Sequence, residues 1–189
     1  IQDRWLTIIW MIAALTMILG NVIAVTQTNI KRMLAYSSIA HAGYIAVAFA
    51  SGSQRGVSAA LFYTLAYTVT NLGAFAIVTI LSRSEDKLTN ISDYAGLAAK
   101  RPGLAALLSL FLLSLAGVPG TAGFAGKFFI FRSAVESGLL WLTVIGVVTT
   151  VVSFYYYLYV IVQMYMRDPT EEFADLRIAG SLKIALFIA

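Results

Sequence analysis

Five stretches of this chain, residues 5–30, 33–54, 56–82, 102–126 and 137–166, contain no Lys, Arg, Asp or Glu. Each can hold the ~20 apolar residues needed to cross a hydrocarbon core about 30 Å thick. Within lipid every backbone N–H and C=O must be bonded internally, so continuous apolar runs of this length read as helices. Composition agrees: 60% of the residues are hydrophobic and 12% charged, against about 25% charged in a soluble domain. The sequence therefore predicts an all-α integral membrane protein, a polytopic helix bundle. The expected spans are about 5–26, 33–50, 58–81, 104–131 and 139–166. An inner loop at 167–180 leads into a sixth span that begins at 181 and is cut short at 189. The chain starts at Ile1 rather than Met and shows no cleavable signal pattern, so a piece of a longer protein is expected.

The basic residues fix an expected orientation. With the amino end outside, the inner connections carry Lys31, Arg32, Arg83, Lys87, Lys100, Arg101, Arg167, Arg177 and Lys183, and the outer ones only Arg4, Arg55 and Arg132. That asymmetry follows the positive-inside rule. The net charge of +4 therefore reports topology. No interleaved basic and aromatic surface suggests a nucleic-acid partner. Cysteine is absent and histidine occurs once, which leaves no ligands here for a disulfide framework, a zinc site or an iron–sulfur cluster. A protein-ligated haem is equally unexpected, so neither a metal site nor a cofactor-binding site is predicted.

Within the fourth charge-free run the helix pattern breaks. Gly117, Pro119, Gly120 and Gly123 interrupt an apolar stretch that begins at Leu104, and glycine with proline is the strongest local punctuation a helix can meet. Just beyond stands Lys127, the one charge placed inside a span. A lysine at the centre of a membrane helix costs about 2.5–3.5 kcal/mol on insertion scales, so by default it marks a functional site. A broken helix at membrane depth is tolerated only against protein or water. Burial of an amine without a counter-charge also disfavours its charged form, which eases proton exchange. The alternative is snorkelling, in which the stem carries the ammonium outward toward Arg132, about 8 Å along a helix.

Polar residues line the neighbouring spans at helical spacing. Ser37, Ser38, His41 and Tyr44 share one face of the second span, and Tyr63, Tyr67 and Asn71 recur every four residues on the third, with Thr64 and Thr68 alongside. Such stripes either hold helices together through hydrogen bonds or line a hydrated route for protons. His41 is either a satisfied interior histidine or an exchange site, since imidazole ordinarily titrates near pH 6.5. Lys31 and Arg32 read as a positive-inside anchor at the inner end of a hairpin.

Three strings carry a family resemblance: TQTNIKRMLAYSSIAHAGYIAVA (26–48), YTVTNLGAFAIV (67–78) and LAGVPGTAGFAGKFFIF (115–131). In order and over nearly the whole chain they resemble the antiporter-like, proton-translocating membrane subunits of respiratory complex I, NADH:quinone oxidoreductase. The nearest branch is the subunit N type of bacteria and plastids. The resemblance implies the carboxyl-terminal half of a fourteen-helix subunit, helices nine to thirteen with the start of fourteen, forming one five-helix repeat of an inverted-repeat fold with a discontinuous helix at Gly117 to Gly123. It puts Lys127 on the family's outer-side proton path, His41 in its hydrophilic axis, and Lys31 and Arg32 on the basic pair before the tenth helix. One sister subunit carries glutamate in place of Lys127, and the sister subunits carry histidine and lysine on the helix where this chain has Tyr67, Asn71 and no charge; both departures favour the N-type branch.

By the same resemblance, NADH, flavin, iron–sulfur clusters and quinone belong to other subunits. The partners are other membrane-arm subunits, the lipid bilayer, protons and internal water. The setting is a multi-pass protein of the bacterial inner membrane. Two other classes stay open from the residues: a subunit of a cation/proton antiporter or membrane-bound hydrogenase, and a structural membrane subunit without a proton path.

Overall fold

The computed structural model of the protein describes residues 2–82 and 88–169. The expected start of a sixth span at 181–189, most of the connection 167–180, and Arg83, Lys87, Arg177 and Lys183 lie outside the described residues. Three long helices come first: α1 (Gln2–Val25), α2 (Ile30–Ala50) and α3 (Gln54–Ser82). A 3₁₀ turn (Ile91–Tyr94) and the short α4 (Leu97–Lys100) follow. Then come α5 (Pro102–Ala116), α6 (Ala122–Glu136) and α7 (Leu140–Met166). Helices α1, α2, α3 and α7 are long and apolar enough to cross a bilayer. Helices α5 and α6 have 15 residues each; at 1.5 Å per residue each reaches about 22 Å, and together they replace the single fourth span.

The helix ends show how local chemistry sets these bounds. Helix α2 begins at Ile30 rather than Met33, because the Asn29 side chain accepts from the Arg32 N–H at 3.1 Å and caps the first turn. Pro102 opens α5, where its missing N–H costs nothing. Gly117 closes α5 in the left-handed region at φ +90°. The N–H groups of Gly117 and Val118 both return to Leu113 O at 3.0 Å. The chain then re-enters a helix at Ala122, with Thr121 Oγ1 accepting from Phe124 N at 3.3 Å. Gly123 therefore sits in the first turn of α6, while residues 117–121 make the break.

Helices α1 and α2 pack closely through small residues: a Cβ on Gly20 would meet Ala40 N at 2.6 Å, and one on Gly43 would meet Met17 Cγ at 2.6 Å. Without hydrocarbon-driven association, such close backbone approach is what joins membrane helices. At the opposite end from Ser51–Gln54, residues 88–101 of the long connection are folded rather than loose. Ile30 N donates to Thr89 O at 2.9 Å, Ile91 N to Thr28 O at 2.8 Å, and Gly96 N to Gln163 O at 3.1 Å, so the α1–α2 turn, this segment and the C-terminal part of α7 are stapled together.

Two apolar clusters divide the interior along its length. One gathers Ile30, Leu34, Ile77, Leu108 and Met164 toward the end that holds the α1–α2 turn. The other gathers Met17, Val47, Ala60, Ile130 and Leu142 toward the end that holds the α2–α3 turn. Asn21, His41, Lys127 and Ser153 are buried, and Asn21, His41 and Ser153 fall between the two clusters in the order of their helices. The break depends on one close approach: a Cβ on Gly123 would lie 1.8 Å from Ser114 O. Gly123→Ala is expected to destabilise the assembled protein by about 1–3 kcal/mol through overpacking. Gly103→Ala, with nothing within 4 Å of its Cβ, should be neutral or better. Thermal stability of the detergent-solubilised complex compares the two, and equal midpoints would contradict this packing.

Candidate functional site

Lys127 lies one turn into α6, and its side chain turns inward. It is 4% exposed, and its Nζ donates to Leu115 O at 2.9 Å and Ala116 O at 3.1 Å. These are carbonyls at the end of α5, which the break leaves without intrahelical partners. The same end is the negative pole of the helix, where a cation is favoured. Hydrogen bonds to a charged group contribute about 1.5–3 kcal/mol each, so two of them are of the size needed to offset an insertion cost of about 2.5–3.5 kcal/mol. Nζ also stands 4.8 Å from the centroid of the Tyr44 ring, a cation–π contact. Snorkelling toward Arg132 is therefore not the geometry found. Gly117 makes room for the stem: a Cβ there would come within 3.2 Å of Lys127 Cδ.

Tyr44 links the amine to the histidine. Its ring meets His41 edge-on, centroids 5.6 Å apart and planes at 77°. Its hydroxyl donates to Thr149 Oγ1 at 3.4 Å and accepts from Thr150 Oγ1 at 3.3 Å. His41 is 1% exposed and both ring nitrogens are engaged. Nδ1 shares a hydrogen bond with the Tyr63 hydroxyl, and Nε2 shares one with the Tyr157 hydroxyl at 3.1 Å. Tyr67 stacks on the imidazole at 4.8 Å. Behind Tyr157, Tyr156 lies 4.5 Å away ring to ring and donates to Asn21 Oδ1 at 3.0 Å. Tyrosines from three helices, α2, α3 and α7, thus surround His41, and α1 supplies Asn21.

The expected stripes are only partly realised. Ser37 and Ser38 bond their own helix at Leu34 O, at 2.7 and 2.9 Å, so each supports the site from its edge. Thr64 and Thr68 are exposed, and Thr68 Oγ1 bonds back to Thr64 O at 2.7 Å; helical spacing gave their shared face but not its outward direction. Asn71 is half-buried, and its Oδ1 is buried with no hydrogen-bond partner, the kind of atom that internal water satisfies. Lys31 and Arg32 stand in the first turn of α2, about 15 Å along the helix from His41, apart from the buried group. The residues missed in the sequence are Asn21 on α1 and Thr149, Ser153, Tyr156 and Tyr157 on α7, whose three- and four-residue spacing was the available signal.

From Lys127 a cleft of about 670 Å³ runs between α6 and α7 past Phe128, Phe131 and Val147 to Arg132 and Glu136 at the rim. At that rim Glu136 accepts from Arg55 Nη1 at 2.8 Å and Arg132 Nε at 3.0 Å. Hydrogen bonds from these two guanidinium groups hold its carboxyl below the usual carboxylate range. A carboxyl held low stabilises the fold above its unfolded pKa of about 4.3, and the contribution disappears as pH falls through the lower folded value. Because the groups face water, the effect is small. Glu136→Gln is expected to narrow the difference in thermal midpoint between about pH 7 and about pH 3; an unchanged difference would rule out the clamp.

A bundle of apolar helices built around a broken helix, with a lysine turned onto the break, defines the class: an antiporter-like integral membrane subunit. Residues 1–153 match the family described as NADH:quinone oxidoreductase/Mrp antiporter, TM, and the chain belongs to that family. It is 49% identical over 185 residues to NADH-quinone oxidoreductase subunit N of Trichlorobacter lovleyi, covering 98% of this chain and 38% of the relative. The chain thus spans about two fifths of the length of the curated relatives it matches. Among solved structures it resembles a chain of respiratory complex I from Thermus thermophilus with bound aureothin. There the TM-score is 0.81 and the identity 33%, over 96% of this chain and 41% of that one. A chain of an archaeal membrane-bound sulfane sulfur reductase is similar at a TM-score of 0.87 and 28% identity, over 98% and 38%.

Proposed function

We propose that this chain is the proton-carrying second half of a subunit N, which moves protons across the membrane while quinone is reduced elsewhere in the complex. The observation that carries this reading is the inward Lys127 ammonium on the carbonyls of a broken helix. Here a small change in the local field shifts the balance between charged and neutral amine. Lys127 would be the carrier on the outer side, and His41 the relay toward the inner side. Tyr44, Tyr67 and Asn71 would keep the connecting space polar, with Ser37 and Ser38 at its edge. Gly117, Pro119, Gly120 and Gly123 would hold the break open, and Lys31 and Arg32 would anchor the inner end.

The partners in this reading are the other membrane-arm subunits, lipid, and internal water; NADH, flavin, iron–sulfur clusters and quinone act in other subunits. The setting is the bacterial inner membrane, with the amino end of this segment outside and five crossings, the fourth broken. Moving one charge through 100 mV takes about 2.3 kcal/mol, within reach of a shift in a neighbouring charge that alters the proton affinity of one amine. A second reading, a subunit of a cation/proton antiporter or of another respiratory membrane complex, is favoured by the family's inclusion of Mrp antiporters and by the likeness to the sulfane sulfur reductase. The proteins that co-purify with the chain separate the two.

In inverted vesicles containing the whole complex, Lys127→Ala is expected to leave assembly intact. NADH-driven proton pumping per turnover should fall to a small fraction of the unmodified value. Assembly with unmodified pumping would remove the carrier role.

A further inference from the structure

The imidazole of His41 cannot bond alike on its two sides. A neutral ring carries one N–H, so of its two phenol neighbours one must donate and the other accept. Tyr63 reaches Nδ1 from α3, and Tyr157 reaches Nε2 from α7 at 3.1 Å. The stacked Tyr67 at 4.8 Å and the edge-on Tyr44 at 5.6 Å hold the ring plane. Both hydroxyls are on fully buried side chains, Tyr63 at 1% and Tyr157 at 0% exposure. If the stripe were only helix glue, one hydrogen bond from the histidine to a backbone carbonyl would serve. Instead the ring bridges two helices through two groups that can each both give and take a proton.

We propose that Tyr63 and Tyr157 are the relay partners of His41, passing one proton through the imidazole between α3 and α7 each time the ring turns over. This rests on the reading of the chain as a proton-translocating subunit. In the forward step a hydronium in the polar axis gives a proton to the Tyr63 oxygen as the Tyr63 hydroxyl proton moves to Nδ1. The Nε2 proton moves to the Tyr157 oxygen, and the Tyr157 hydroxyl proton leaves to a water beyond. Four O–H or N–H bonds form and four break, one proton crosses, and all three side chains end neutral. The ring is left in its other tautomer. The reset carries the Nδ1 proton to Nε2 through water while both phenol bonds are broken and the hydroxyls turn back, so the relay passes protons singly and cannot conduct as a continuous wire.

Tyr63→Phe and Tyr157→Phe keep the rings and remove the hydroxyls. In vesicles holding the intact complex, each is expected to slow proton pumping about a hundredfold or more, in the range of lost acid–base transfer. The amount of assembled complex should be unchanged. A fluorinated tyrosine at position 157, whose phenol is more acidic, keeps the hydrogen bond. It should shift the pH profile of pumping, because the proton affinity of the relaying phenol enters the transfer.

The titratable groups facing His41 are Tyr44 on its own helix, Tyr63 and Tyr67 from α3, Lys127 from α6, and Tyr156 and Tyr157 from α7; α1 presents Asn21, which does not titrate. Slowed phenylalanine variants with an unmoved fluorotyrosine profile would reduce the hydroxyls to helix glue and overturn the proposal. Phenylalanine variants that pump at the unmodified rate, beside a defective Lys127→Ala, would overturn the relay alone. If Lys127→Ala also pumps normally, the proton-translocating reading fails with it.

Discussion

The contact between the Lys127 ammonium and the last carbonyls of α5 governs the rest of the structure. Each partner alone would be untenable at membrane depth: an unpaired cation on one side, and carbonyls stripped of helical partners on the other. Together they cancel much of each other's cost, in a place where the positive φ of Gly117 and the small size of Gly123 let the two half-helices approach. The bond also explains why a lysine can be kept here without a carboxylate. Its counter-charge is a helix end, which neutralises a cation without fixing its protonation as firmly as an acid would.

Around that contact the interior is organised by exclusion. Apolar clusters toward both ends of the bundle leave one polar layer, and within it tyrosines predominate. A phenol both donates and accepts, and its ring fills space like any aromatic. The layer therefore stays well packed while its hydroxyls both give and take hydrogen bonds. Tyr44 is the joint: its face carries the amine, its edge meets the imidazole, and its hydroxyl is tied to Thr149 and Thr150 on α7.

Much of this was legible in the sequence, for physical reasons that can be named. Charge-free runs give spans because lipid penalises charge, and Gly117, Pro119 and Gly120 give the break because a helix cannot pass them unchanged. His41 and Tyr44 fell on one face by spacing alone. What spacing could not give was direction. Thr64 and Thr68 satisfy themselves on their own helix and face out, and the turn of Lys127 inward depends on where the end of α5 lies in space. Tyr156 and Tyr157 stayed hidden in an apolar run because tyrosine reads as hydrophobic until its hydroxyl finds a partner. The folding of residues 88–101 was equally hidden, since the pairing of Thr28 with Ile91 and of Ile30 with Thr89 is long-range.

The most direct test is a high-resolution map of the intact complex with ordered water resolved. The account predicts the Lys127 nitrogen about 3 Å from the carbonyl oxygens of Leu115 and Ala116, with water reaching it and the ring of His41 bridging Tyr63 and Tyr157. A nitrogen found among headgroups beside Arg132, with a dry interior behind it, would contradict it.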